Sequence, residues 1–300
     1  MYYFCHMSNY KNTPQLDDQS IAERVGDILS GRHEDIVLPG AYATMLGMVD
    51  LTTLEGSDNK EKVKQLCKKA VSFAAMGEGI PNVAAVCVYP TLVSIAREEL
   101  DGAGIKVASV AGAFPSGLSP LKLRVEETRY AVEEGADEID MVISRGRFLE
   151  GEYSYVFDEV AAIREACGAA RLKVILETGE LKTATLIRRA SEIAMDAGAD
   201  FIKTSTGKVQ PAATLEAVLA MLEAIGSHHT KTGTMIGIKP AGGIADEETA
   251  LKFYTLVHHV LGKDWLNKDW FRFGASRLSD ALVNAALGIR DGKNTQSGGY

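Results

Sequence analysis

Short apolar runs rich in β-branched residues alternate along this chain with stretches of helical period. From about Met48 the runs read MVDLTTL, VAAVCVYP, KVASVAGAF, EIDMVISRG, KVILETGE, FIKTSTGK, MIGIKPAGG and WFRFGAS. Between them lie helical segments such as DNKEKVKQLCKKAVSFAAM and LKTATLIRRASEIAMDAGA, and RLSDALVNAALG follows the last run. Runs that are apolar on both faces predict parallel strands covered by helices. Gly135-Ala136-Asp137 and Gly198-Ala199-Asp200 each follow a helical stretch. Each glycine suits the left-handed residue that closes a helix before the next strand. Eight such units in series, with no linker between them, predict an α/β fold, the (β/α)8 TIM barrel. The expected boundaries are a partly helical N-terminal extension over 1–40, a barrel over 41–289 and a flexible, glycine-rich tail over 290–300. Within the extension, Asp17 or Asp18 caps a helix in DDQSIAERVGDILSG and Gly31 ends it.

Length agrees with this pattern: 300 residues accommodate a barrel, which typically needs ~250. A net charge of −8 argues against a general nucleic-acid or membrane-surface binder, so an anionic ligand needs a local cluster of donors. Cys5, Cys67, Cys87 and Cys167 form no CxxC pair, and neither a disulfide framework nor a zinc site is indicated. No segment approaches ~20 uninterrupted apolar residues, and MYYFCHMSNYKN lacks a secretory core. The expectation is a soluble cytoplasmic protein.

Chemistry in such a barrel sits at the C-terminal ends of the strands. Polar residues there are Asp50, Asp140, Glu177, Lys203 and Lys239, and they converge on the axis if they point inward. Alternation groups Lys203 with Phe201 and Ser205, and Lys239 with Gly237. Which parity faces inward stays open, although an inward Gly237 leaves room beside Lys239. Neighbouring strands lie ~4.8 Å apart, so the two lysines would feel each other. A like charge at that range lowers a lysine pKa, and a neutral lysine attacks carbonyl groups. Asp140 could then move protons or order a water. The alternatives are a strand-end lysine that reaches into water, or Asp–Lys pairs that only satisfy buried charge.

A second cluster lies in the turns. Gly207 and Lys208 follow the sixth run, Gly242 and Gly243 the seventh, and Gly274 and Ser276 the eighth. Backbone N–H groups beside helix N-termini form anion sites, and loops after the seventh and eighth strands are the usual phosphate grip. The plainer reading is that each glycine serves a tight turn. TGK is not a P-loop, and there is no GxGxxG fingerprint. None of His6, His33, His228, His229, His258 and His259 falls at a strand end. The first two of the four clustered ones fall in a loop, the others in a helix, so no metal is expected. Cys87 reads as a small core residue.

These motifs resemble the deoxyribose-phosphate aldolase family, class I aldolases that act through a lysine Schiff base. The resemblance runs through MVDLTTL, CVYP, GADEIDMV, LKVILETGEL, GADFIKTSTGK, GIKPAGGI, FRFGAS, DGK and the terminal tyrosine, over about residues 45–300. It implies that Lys203 forms the Schiff base, Lys239 perturbs its pKa, Asp140 relays protons and Asp50 lies close to Lys239. It implies phosphate contacts at Gly207, Lys208, Gly242, Gly243, Gly274 and Ser276, and a tail that carries Tyr300 to the site. The implied reaction is reversible cleavage of 2-deoxy-D-ribose 5-phosphate to glyceraldehyde 3-phosphate and acetaldehyde, with no cofactor. The implied partners are small phosphosugars and aldehydes, with no nucleic acid or membrane; a homodimer is the one assembly considered. Where many family members have arginine after the strand-seven glycines, this chain has Ala245. Where many have serine or threonine after FGAS, it has Arg277. We read Arg277 as the same charge moved to the other loop. The rivals are another Schiff-base aldolase, a phosphosugar isomerase and a non-enzymatic binder.

Overall fold

A computed structural model describes residues 10–31, 36 and 38–289. Cys5, His6, His33 and Tyr300 lie outside the described residues. Eight strands follow the eight apolar runs: β1 Val49–Thr52, β2 Ala85–Val88, β3 Lys106–Ala111, β4 Glu138–Val142, β5 Arg171–Ile175, β6 Phe201–Lys203, β7 Gly237–Lys239 and β8 Phe273–Ala275. Each pairs in parallel with the next from β1 to β7, and β1 also pairs with β8. Between β7 and β8 the ring closes through backbone bonds. Ile238 N–H donates to Trp270 O (2.9 Å), Arg272 N–H to Ile238 O (3.0 Å) and Gly274 N–H to Pro240 O (2.9 Å). Closure removes the open edges that a sheet would otherwise present.

Helices α1 (Asp18–Ser30) and α2 (Leu38–Leu46) precede the first strand. The strands are then followed in turn by α3 (Lys60–Ser72), α4 (Val93–Glu99), α5 (Leu121–Glu133), α6 with α7 (Arg145–Leu149, Tyr153–Cys167), and α8 with α9 (Thr178–Leu181, Ala184–Asp196). After β6, β7 and β8 come α10 (Leu215–Thr232), α11 (Glu247–Leu261) and α12 (Leu278–Ala286). None is long and apolar enough to cross a membrane. Asp17 caps α1 by accepting from Ser20 N–H (2.9 Å), and the helix stops at Gly31. Ile21 and Val25 of α1 are buried in the main core, and Asp18 accepts from Ala184 N–H at the start of α9 (2.7 Å). His228 and His229 belong to the last turns of α10, not to a loop. There Thr230 and Thr232 donate back to Gly226 O and His228 O, and the polar SHHTKT stretch stays helical until Gly233 turns at φ 72°.

The two Gly-Ala-Asp segments do the same structural work. Gly135 (φ 105°) and Gly198 (φ 99°) take left-handed conformations that L side chains rarely adopt. The aspartates that follow accept from strand N–H groups, Asp137 from Val107 (2.8 Å) and Asp200 from Leu172 (2.7 Å). Arg97 and Arg164 pair with them in turn. Each unit therefore pins the start of the preceding strand to the start of the next.

Period-two alternation sorts the strand residues onto two surfaces. Outward residues such as Val86, Val107, Ile139, Val174, Ile202 and Ile238 merge with the helices into one large core. Inside the barrel, the β1–β3 side holds only a small apolar cluster of Leu54, Ala85, Cys87, Ala108 and Val110. Apart from the Phe201 ring, the rest of the interior carries charge, to which β1 also contributes Asp50. The register pairs Lys203 with Lys239 and Phe201 with Gly237, and all four point inward. The space beside Gly237 is not left for Lys239, because the Phe201 ring fills it.

A methyl group at Gly237 would fall against that ring, so Gly237→Ala should cost about 1–3 kcal/mol as an overpacked core. Gly26 in α1 has open space around it, and Gly26→Ala should instead stabilise by about 0.5–1 kcal/mol. Urea unfolding of both variants checks the pair; a neutral Gly237→Ala would show that the ring moves aside freely.

Candidate active site

Asp50 on β1, Glu138 and Asp140 on β4, Lys173 on β5, Lys203 on β6, Lys239 on β7 and Arg272 just before β8 are all buried. Their side chains meet in one continuous cluster. Asp140 stands at its centre: Oδ1 accepts from Lys173 Nζ (2.9 Å), and Oδ2 accepts from both Lys203 Nζ (2.8 Å) and Lys239 Nζ (2.7 Å). Asp50 accepts from Lys239 (2.5 Å) and from Arg272 (2.6 Å), and lies 3.2 Å from Lys173. Glu138 completes the chain, 2.5 Å from Lys173 and 2.8 Å from Arg272. Small side chains at Ala85 and Ala108 across the barrel leave the width that these long side chains need.

The three lysines differ in how many carboxylates they meet. Lys173 touches Glu138, Asp140 and Asp50, Lys239 touches Asp50 and Asp140, and Lys203 touches Asp140 alone. Their proton affinities follow. Burial lowers the Lys203 pKa; Asp140 opposes this, and the neighbouring Lys239 charge helps burial, so the net shift is downward. Burial pulls on Lys239 and Lys173 as well, but their carboxylates more than offset it and both stay raised. Of the three, only Lys203 faces the open cleft.

Sequence reasoning missed Lys173, Glu138 and Arg272. The signal was present: alternation puts Glu138 on the face of Asp140 and Arg272 on the face of Gly274. Lys173 pairs in register with Asp140. Attention to the C-terminal strand ends excluded residues lower in the barrel. Glu177, read as a member of the converging set, is not one. It lies beyond β5 in a left-handed conformation (φ 57°), where it accepts from Thr206 N–H (3.2 Å) and Oγ1 (2.5 Å) and pairs with Arg145 (3.3 Å). It ties the loops after β5 and β6 together. Cys87 is wholly buried, and burial pushes its thiol up to about 11, so it stays neutral.

Above Lys203 opens a cleft of about 470 Å³. Gly207 and Lys208 line one side, Gly242, Gly243 and Ala245 another, and Gly274, Ser276 and Arg277 a third. The structure thus gathers the turn residues around the cleft that Lys203 faces, but it gives them different work. Gly274 is a β8 residue, not a turn after it, and its N–H is held by Pro240 O. A Cβ there would lie 2.7 Å from Ala241 Cβ and 3.1 Å from Lys239 Cε, so its bareness lets Lys239 pass. Gly242 N–H donates to Gly274 O (3.3 Å), and its φ of 82° brings its loop against Gly207. No hydrogen bond to a described residue takes the N–H of Gly207, Gly243 or Ser276. Lys208 pairs with Glu55 at the rim (2.8 Å). Arg277 is exposed and occupies the residue before α12, one position short of the first turn. The result is a ring of donors and cations over a buried lysine whose pKa is lowered.

Comparison with known proteins gives a consistent outcome. Residues 44–261 match the model of the DeoC/LacD family aldolases. Two relatives named deoxyribose-phosphate aldolase, from Homo sapiens and Mus musculus, are each 48% identical over 240 residues, covering 77% of this chain and 76% of theirs. A solved structure of a candidate deoxyribose-phosphate aldolase from Toxoplasma gondii ME49 superposes with a TM-score of 0.75 at 25% identity, covering 84% of this chain and 96% of that one.

The cluster makes a prediction about acid. Burial would push the carboxyl groups of Asp50 and Asp140 up, but Lys173 first, with Lys239 and either Arg272 or Lys203, holds both below the ordinary aspartate range. The unfolded chain then binds more protons than the folded one below about pH 4. Their stabilisation is present above that value and lost as pH falls. Urea unfolding should show stability dropping as pH falls below about 4, and Asp50→Asn should be less stable at neutral pH but lose less with acid. Parallel pH dependences would remove Asp50 from the account.

Proposed function

The chain belongs to the DeoC/LacD aldolase family, and on that premise we propose that it cleaves 2-deoxy-D-ribose 5-phosphate reversibly to D-glyceraldehyde 3-phosphate and acetaldehyde through a Schiff base on Lys203. It is an aldolase, as its human and mouse relatives are named, and an aldolase is a carbon–carbon lyase. The observation that carries the assignment to Lys203 is its place. It is the lysine of the cluster with one carboxylate partner, a lowered pKa and an open cleft in front of it.

The steps follow from that placement. The free amine of Lys203 attacks C1 of the open-chain sugar, and loss of water leaves an iminium. Asp140 Oδ2 already accepts from Lys203 and Lys239, so it is poised to move protons during addition and dehydration. The iminium withdraws the electrons of the C2–C3 bond as the C3 hydroxyl loses its proton. Glyceraldehyde 3-phosphate departs and an enamine remains on Lys203. Protonation of that enamine and hydrolysis release acetaldehyde and restore the amine. The electron sink is the iminium itself, so the route calls for no metal ion or cofactor. Lys239 favours the neutral form of Lys203 by its charge, each unit of pKa being worth about 1.4 kcal/mol. The N–H groups of Gly207, Gly243 and Ser276, with Lys208 and Arg277, suit a phosphate at the rim.

Borohydride reduction in the presence of acetaldehyde tests the assignment. It should leave an ethyl group on Lys203, found by peptide mass mapping, and Lys203→Ala should lose both adduct and turnover. An isomerase or a binding protein would trap nothing, and an adduct on another lysine would refute the choice of residue.

Replacing Lys239 removes the cation that lowers the Lys203 pKa, so that pKa rises and less free amine exists at neutral pH. Lys239→Leu should therefore shift the rising limb of the pH–rate profile to higher pH and reduce kcat near neutrality more than it raises KM. A limb that stays in place would contradict the electrostatic role.

Ala245 and Arg277 line the same cleft, which supports a charge carried by one loop in place of the other. A lost charged contact costs about 1.5–3 kcal/mol, roughly tenfold or more in affinity. Arg277→Ser should raise KM for 2-deoxyribose 5-phosphate by about that factor and barely alter KM for 2-deoxyribose. Equal effects on the two sugars would show that Arg277 does not read the phosphate.

A further inference from the structure

The buried cluster holds three carboxylates, Asp50, Glu138 and Asp140, and four bases, Lys173, Lys203, Lys239 and Arg272. If every member were ionised, one positive charge would be left without a counter-charge inside the barrel. If Lys203 alone is neutral, the cluster sums to zero. We propose that Lys173 and Glu138 are positioning residues that set the protonation state of Lys203 through the charge balance of the whole cluster, acting through Asp140 and without touching the substrate. This rests on Lys203 being the nucleophile.

Geometry separates the two residues from the reaction. Lys173 binds Asp140 Oδ1, the oxygen turned away from Lys203 and Lys239, and does not line the cleft above Lys203. Glu138 and Arg272 instead border a separate cleft of about 470 Å³ at the N-terminal mouth of the barrel, with Lys106 and Lys268. A chain of ion pairs therefore runs from one mouth to the other: Arg272 to Glu138, Glu138 to Lys173, Lys173 to Asp140, Asp140 to Lys203. Charges at these separations in a poorly screened interior interact strongly. The titratable groups that bear directly on Lys203 are Asp140 from β4, Lys239 from β7 and Cys87 from β2, and Lys173 and Glu138 reach it through Asp140. Cys87 adds no charge near neutral pH, since burial pushes its thiol to about 11.

The proposal predicts shifts of opposite sign. Removing a cation lets Lys203 keep its proton to refill the balance; removing an anion makes that proton harder to hold. The measurement is the rate of reductive trapping of acetaldehyde by cyanoborohydride on the full-length protein, followed from acid to alkaline pH. Lys173→Met should move the rising limb to higher pH by about one unit or more, and Glu138→Gln should move it to lower pH by a similar amount. The double variant should return close to the wild-type position, and Lys173→Arg, which keeps the charge, should not move it. A purely structural role would reduce the amount of active protein without displacing the limb.

If Lys173→Met does not fold, the near-isosteric Glu138→Gln decides alone, and a limb that stays or moves to higher pH overturns the proposal. Limbs that shift in the same direction for both single variants, or a double variant that adds the two losses, also overturn it. Wild-type protein that gives no adduct on Lys203 would remove the assignment of the nucleophile, and the inference with it. A normal wild-type adduct with unshifted variants would remove the inference alone.

Discussion

Burying ionised side chains is the constraint around which this barrel is arranged. Each charge taken from water costs several kcal/mol unless oppositely charged groups and hydrogen bonds surround it. Asp50, Glu138, Asp140, Lys173, Lys239 and Arg272 meet that demand by contacting one another from five different strands or strand edges. The parallel register fixes their heights, and closure between β7 and β8 fixes their spacing. An apolar interior would be cheaper to form. The charged one brings reactive groups together on short, rigid strands whose side chains have little freedom to drift.

Division of labour between strands and loops follows from the same constraint. Lys203 needs an environment that discourages its proton, and the strand interior supplies this through burial and a neighbouring cation. An anion at the rim needs unclaimed N–H groups and surface cations, which turns can offer and strands cannot. The glycines mark the boundary. Gly237 and Gly274 are strand residues that make room for Phe201 and for the Lys239 side chain, whereas Gly207 and Gly243 keep backbone donors open at the cleft. Glu177, held between Thr206 and Arg145, braces the loop that carries Gly207 and Lys208. The small apolar cluster of the interior, which includes Cys87, lies on the β1–β3 side, apart from β6 and Lys203.

The order of strands and helices was legible in the sequence, because covered parallel strands must be apolar on both faces and helices must repeat every 3.6 residues. All eight runs became strands, and the Gly-Ala-Asp closures adopt the left-handed turns that only glycine takes easily. The convergence of Lys203, Lys239, Asp140 and Asp50 was legible in part: their strand-end positions bring them together if they point inward, and the closeness of Asp50 to Lys239 came from the family resemblance. Which face of each strand turned inward was not, because alternation gives two equivalent answers until the ring closes. Lys173, Glu138 and Arg272 went unread because they sit lower in the barrel than the strand ends, and their importance lies in contacts between residues as far apart as Asp50 and Arg272. The glycine at position 274 likewise looked like a turn and proved to be a strand residue making room for Lys239. Sequence determined which residues could carry charge into the barrel; the closed tertiary ring decided which charges meet, because contact across a barrel depends on register and closure rather than on distance along the chain.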